Sequence, residues 1–269
     1  MKDLDILWTW AVVGARPSFL HNSLYSKHAL LCSTLAAKRV YPEARRRFLV
    51  DQETYDLLEK NNWLSLWDSV EIIDFPKNTR PFINYYATPK IYTYRFIENP
   101  TLILDVEAVL KKRVPLEEKY FDRVQGPYWQ FDEVGERELK NWFSKYPKYV
   151  RDFYPIVGNN YISAAHLYIP SREIGEYASK KCIEHLDRLF SECKMQFGGG
   201  PAVYLEDGFI THCFEEKGGV VFMDSWWECF HHRFEEKHEN KANVNMLLEQ
   251  YAGCKVYDTY MNRKKKSLC

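Results

Sequence analysis

The sequence predicts an α/β protein: a doubly wound, mainly parallel central sheet flanked by helices, with a C-terminal helical elaboration. Three observations carry this. Strand-like and helix-like segments alternate four times within about the first 105 residues, the pattern left by a parallel sheet with crossover helices. The run TLIL at 101–104, three apolar residues after a threonine, shows no polar alternation, as expected of a strand covered on both faces. A hydrophobic content of 46% and an aromatic content of 16% supply a core for such a sheet.

LDILWTW (4–10) reads as the first strand. Ser18 can cap a helix from Phe19 to about Arg39, which Tyr41-Pro42 closes. RRFLVD (46–51) is the second strand, ETYDLLEKNN (53–62) a short helix and SVEIID (69–74) the third strand. A polar loop with Pro76 and Pro81 leads to a helix at about 88–98, then to the fourth strand, TLILD. Residues 116–154 are charged and aromatic and read as an irregular insert or short helices. YISAAHLYI (161–169) reads as a strand, and 171–193 as a helix with Ser171 as cap. FGGG (197–200) is a break; LEDGFITHCFEEKG is a helix ending at Gly218, VVFMD a strand and NVNMLLEQY a last helix. The economical division is one domain over 1–269, in three successive parts: 1–115, 116–225 and a C-terminal extension over 226–269.

Lys plus Arg equals Asp plus Glu at 37 each, so no global field draws in nucleic acid or an anionic membrane. The basic runs KRVYPEARRR (38–47) and NRKKK (262–266) are by default solvated charge. Seven scattered cysteines with no Cys-x-x-Cys pair fit a reduced compartment. The opening MKDLDILWTW has acids where a signal peptide carries positive charge, and no apolar stretch nears the roughly 20 residues of a membrane span. The expected address is cytoplasmic, a host cytoplasm if the gene is viral.

The chemistry concentrates where the fourth strand ends, in Asp105-Val106-Glu107. In an extended chain residues i and i+2 share a face, so the two carboxylates converge while Val106 turns away. Converging carboxylates repel, and a hard divalent cation, Mg²⁺ or Mn²⁺, is their natural third party. Chance alone supplies roughly five acid-x-acid triplets in such a composition, so position and not the triplet is the signal. The position is the carboxyl end of a buried strand, where open α/β sheets bind ligands.

Lys90, Tyr94, the run Pro100-Thr101-Leu102-Ile103-Leu104-Asp105-Val106-Glu107 and Pro115, in this order of elements, resemble nucleotide-sugar glycosyltransferases of the GT-A type. The outline of the resemblance spans residues 4–224; its specific part lies between Lys90 and Pro115. Glu107 stands where the family's Asp-x-Asp has its second Asp. The resemblance implies a nucleotide-sugar donor and a metal that stabilises the departing diphosphate, and makes 1–115 the nucleotide-binding half and 116–225 the acceptor-side half. It makes Glu107 the direct metal ligand and places Asp105 on the ribose, or on the metal through water. Thr9, Trp10 and Ala11 would hold the nucleotide, with Trp10 available to stack on a base. Asp51 would reach the base or ribose unless it is simply a helix cap, and Lys90 a phosphate or the donor sugar. Asn159 and Asn160 fall near the donor sugar on the acceptor side, although Gly-Asn-Asn is also turn chemistry.

An inverting transfer needs a general base, for which Glu206 and Asp207 are the candidates; acids there would also suit a helix N-terminus. The spacing of His231, His232 and His238 in WWECFHHRFEEKHENK excludes a His-Glu-x-x-His zinc site. The resemblance implies that a C-terminal histidine, here His232, completes the metal shell, unless these histidines are simply satisfied on a surface or amphipathic segment. The acceptor, a glycan before a modified nucleic acid, is not legible. Two rival functions remain: nucleotidyl transfer to a sugar phosphate, disfavoured by the single Gly in AVVGARPSF, and a non-catalytic sugar or protein-binding module with a degenerate site.

Overall fold

The computed structural model of the chain describes residues 3–12, 24–85, 87–130, 141, 160–192 and 204–230. Strand β1 (Asp5–Trp10) pairs in parallel along its whole length with β2 (Arg45–Val50), and β2 with β3 (Ser69–Ile72). On the other side of β1 lies β4 (Thr101–Leu104), also parallel. β8 (His166–Ile169) runs antiparallel between β4 and β5 (Val124–Gly126), and β9 (Val220–Phe222) closes the sheet in parallel with β5. The seven-stranded order is β3-β2-β1-β4-β8-β5-β9. A separate antiparallel pair joins β6 (Tyr128–Gln130) to β7 (Asn160–Ile162). The expected mainly parallel α/β sheet is present, with β8 as its antiparallel insertion.

Alternation along the strands builds two cores. Ile6, Trp8, Phe48, Leu102 and Leu104 pack with Leu30, Leu31 and Ala36 of α1 (Leu24–Val40) and Leu58 of α2 (Gln52–Lys60). Leu7, Leu49, Ile103 and Leu167 face the other way. They meet Ile91 of α4 (Thr88–Thr93), Ala178 and Leu186 of α5 (Arg172–Glu192), and Phe214 of α6 (Ile210–Lys217). A short helix, α3 (Arg80–Asn84), precedes α4. α5 crosses closely over the turn after α4. A Cβ at Gly175 would lie 2.3 Å from the Tyr94 carbonyl oxygen, so only glycine fits there.

Several sequence expectations change. The helix expected at 88–98 is α4 followed by a 3₁₀ turn at Tyr94–Phe96. The strand expected at 161–169 is two strands in different sheets, divided at Ser163–Ala165 where the Ala164 N–H turns to Asp207. The stretch read as irregular after Pro115 contains β5 and β6. The helix expected from residue 205 begins as a π-helical turn, Tyr204–Phe209. Within the first basic run, Arg46 and Arg47 are buried instead of solvated. The Arg47 guanidinium holds both oxygens of Glu71 at 2.9 Å and the Phe96 carbonyl at 3.0 Å, and Arg46 pairs with Asp68 at 2.7 Å. The expected Ser18 cap, the Gly-rich break, the last helix and the second basic run lie outside the described residues. None of the described helices is long and apolar enough to cross a membrane.

Candidate active site at the strand switch point

From β1 the chain moves outward to β2 and β3, then returns to place β4 on the opposite side of β1. Ligands of open α/β sheets gather beyond the carboxyl ends of the strands at such a reversal. Thr9 and Trp10 end β1 there, and Asp105 and Glu107 follow the end of β4.

Asp105 and Glu107 do not project from an extended chain, as strand alternation suggests. β4 stops at Leu104, and the Ala108 N–H donates to the Asp105 carbonyl at 2.9 Å, closing a turn over Val106 and Glu107. Val106, within the turn, is buried in the core. Both carboxylates are left half-buried. The turn is pinned on two sides. The Asp105 N–H donates to the Ala165 carbonyl at 2.8 Å, and the Ser33 hydroxyl donates to the Ala108 carbonyl at 2.6 Å. Ser33 itself accepts the Trp8 indole N–H at 2.9 Å, so β1, α1 and the turn leading into β8 all fix the Asp105 turn.

Lys90 reaches the turn from α4, its Nζ 2.8 Å from Asp105 Oδ1. With water largely excluded from both side chains, this attraction is stronger than in a surface pair. Thr9 Oγ1 lies 2.6 Å from Thr93 Oγ1, which in turn donates to the Lys90 carbonyl at 2.7 Å. Thr9, Lys90 and Asp105 are therefore brought together, with Thr93 as a link that sequence reasoning missed. Its only signal was a threonine three residues after Lys90 in a short helix, where a hydroxyl can bond back to a carbonyl.

Trp10 packs against the core on the α1 side, and Ala11 is half-buried beyond it. Asp51 is the N-cap of α2: Oδ1 accepts the Thr54 N–H at 2.9 Å. Its Oδ2 accepts the Val12 N–H at 2.9 Å and pairs with Lys77, so Asp51 ties the loop after β1 to the end of β2. Burial works to raise its pKa, but these bonds outweigh burial and hold the carboxyl below its ordinary value.

Asp207 belongs to the same neighbourhood. Its Oδ1 accepts the Ala164 N–H at 2.8 Å, one residue from the carbonyl that holds Asp105. The Glu206 backbone lies in the same π-helical turn, and Asn160 begins β7; their side chains, like Asn159, lie outside the described residues. His232 lies outside them too. The described chain reaches Phe230, which bridges to Leu110, three residues past Glu107. His166, not singled out from sequence, sits opposite Leu104 with its ring 4.0 Å from Phe230 and 5.2 Å from Trp227.

Two half-buried carboxylates in one turn, one already bearing an ammonium cation, suit a hard divalent ion that keeps waters and takes phosphate oxygens. Among the described residues, no group of three His, Cys, Asp or Glu side chains forms a metal cage. The four described cysteines, Cys32, Cys182, Cys213 and Cys229, are buried free thiols.

No family model matches the chain, and no curated protein matches it in sequence. Among solved structures it is similar to the galactosyltransferase LgtC in complex with donor and acceptor sugar analogs. That match has 15% identity over 81% of this chain and 72% of that one, with a TM-score of 0.44. Mouse xyloside xylosyltransferase 1 matches at 10% identity over 84% and 89%, with a TM-score of 0.46. The glycosyltransferase GlyE of Streptococcus pneumoniae TIGR4 matches at 9% identity over 90% and 49%, with a TM-score of 0.46.

Proposed function

We propose that the chain is a metal-dependent glycosyltransferase that moves a sugar from a nucleoside-diphosphate sugar to an acceptor hydroxyl, on a glycan before a nucleic acid. One observation supports this above the rest. Lys90 and Asp105 meet at 2.8 Å beside Glu107, in the turn that ends β4 at the strand switch point. A cation and two carboxylates carried by one turn in that place suit a diphosphate and its counter-ion. The net charge of zero argues against a polyanionic acceptor.

Glu107 is the direct ligand for Mn²⁺ or Mg²⁺ in this reading, Asp105 contacts the ribose or a metal-bound water, and His232 completes the shell. When bound, the ion offsets charge developing on the leaving diphosphate. Lys90 is already aimed at the same charge and can transfer its ammonium from Asp105 to a phosphate oxygen. Thr9, Trp10 and Ala11 border the nucleotide, and Asp51 holds the loop behind them through Val12. Asp207 or Glu206 takes the acceptor proton if the outcome is inverting; Asn159 and Asn160 lie on the acceptor side.

A thermal-shift screen of the adenosine, guanosine, cytidine and uridine diphosphates, with and without Mn²⁺, tests the reading, because a ligand of the native state raises the melting point. A rise with one base that requires Mn²⁺, followed by Mn²⁺-dependent hydrolysis of the matching nucleotide sugar, is the expected result. No shift with any of the four in either condition overturns it.

A further inference from the structure

α4, which carries Lys90, is six residues long. That is about half of what an isolated helix needs to hold itself together in water, so its position is set by what ties it down. Ile91 packs it into the core, and two threonines tie its two ends. At its start the Thr88 hydroxyl donates to the Pro81 carbonyl at 2.8 Å. At its end Thr93, wholly buried, donates to the Lys90 carbonyl at 2.7 Å and lies 2.6 Å from the Thr9 hydroxyl.

A hydroxyl has one proton to give. Thr93 gives its proton to Lys90, so the proton between the two threonines belongs to Thr9. The line Thr9 to Thr93 to Lys90 is thereby directed and complete. It joins β1 to the peptide of the residue whose ammonium meets Asp105.

Resting on the reading of this site as a donor-nucleotide site, we propose that Thr93 is its positioning residue. It touches no ligand. It sets α4 against β1 and so fixes how far the Lys90 ammonium reaches toward Asp105 and a bound diphosphate. Misplacing a positioned charge by an ångström is enough to lose most of its contribution.

Thr93→Val keeps the shape and removes the hydroxyl, and Thr93→Ser keeps the hydroxyl. The four nucleoside diphosphates, each with Mn²⁺, are titrated by calorimetry into the full chain, these two variants, Lys90→Met and the Lys90→Met/Thr93→Val double variant. The expected result is binding at least tenfold weaker in Thr93→Val and restored to within threefold in Thr93→Ser. In the Lys90→Met background, Thr93→Val costs threefold or less, because no ammonium is left to position. Equal losses in both backgrounds overturn the proposal. If the unaltered chain binds none of the four, the donor-site reading falls by itself, and urea unfolding of the same chains decides. Positioning then requires the loss in folding constant from Thr93→Val to shrink at least threefold when Lys90 is Met, and additive losses overturn it.

Discussion

The ammonium of Lys90 and the carboxylate of Asp105 meet at 2.8 Å, with 11% of the lysine side chain and 23% of the aspartate exposed. The pair joins a helix on one face of the sheet to the turn that leaves its central strand. It keeps a negative oxygen in place at the strand switch point without fully shielding it. In the proposed function, a diphosphate arriving there would offer Lys90 a second anionic partner, and a divalent ion would offer Asp105 a second cation. The two exchanges would then favour each other, because each would release a group the other needs.

Asp105→Asn keeps the side-chain shape and the backbone bond to Ala165 but removes the charge. On the proposed function, Mn²⁺-dependent hydrolysis of a nucleotide sugar is expected to fall by about 10²- to 10³-fold, the usual cost of losing one preorganised electrostatic contact. Glu107→Gln should raise the Mn²⁺ concentration needed for half-maximal rate. Hydrolysis within twofold of the unaltered chain in both variants would remove the turn from the chemistry.

Asp207 can be divided into its two roles. Asn at this position still accepts the Ala164 N–H, whereas Ala does not. If Asp207 is the general base, Asp207→Asn lowers kcat by about 10²- to 10⁴-fold with little change in stability. Asp207→Ala should in addition lose about 1–3 kcal/mol in urea unfolding, because a partly buried N–H is left unpaired. A retained kcat in Asp207→Asn assigns the residue to holding the Ser163–Ala165 turn alone.

Much of the first half was legible in the sequence because its signals are local. TLIL carries no polar alternation, Asp51 caps α2 as an N-cap acid does, and Ser171 Oγ accepts the Ile174 N–H at 3.4 Å at the head of α5. The failures are non-local. Asp105-Val106-Glu107 has the same alternation whether the chain continues straight or turns. β5, β6 and β7 are three residues each, too short for a period to show. Thr93 meets Thr9 across 84 positions, and Arg47 finds Glu71 across 24; side chains so far apart become neighbours only through the sheet order.

Gly175→Ala tests the packing that backs the site. Helix propensity alone predicts a gain of up to about 1 kcal/mol for this change within α5. The added Cβ would stand 2.3 Å from the Tyr94 oxygen and 3.1 Å from Ile97 Cδ1, and the nearer atom is backbone that cannot swing aside. A net loss of about 1–3 kcal/mol in urea unfolding is expected, the usual cost of overpacking. Because Tyr94 directly follows α4, the shift should also weaken nucleotide binding. A stabilised variant would mean that α5 stands further from the turn.

Acid should destabilise the chain in two separate windows. His185, stacked on Phe209 with ring centroids 4.0 Å apart, has its pKa pushed down to about 3, first by burial and then by the charges of Arg188 and His212. The unfolded chain takes up that proton near pH 6.5, and the folded chain resists it. The contribution is therefore complete above about pH 6.5 and declines as pH falls toward the folded value. Between pH 7.5 and 5 this amounts to about 2 kcal/mol. Asp51 acts lower: with its folded pKa depressed, its contribution stands above the unfolded value of about 3.9 and is lost as pH falls further. Urea midpoints taken from pH 7.5 to 5 should fall in the unaltered chain and stay nearly level in His185→Gln. Asp51→Asn should leave that slope unchanged, because its own window has not opened. A slope unaffected by His185→Gln would assign the upper limb to another histidine.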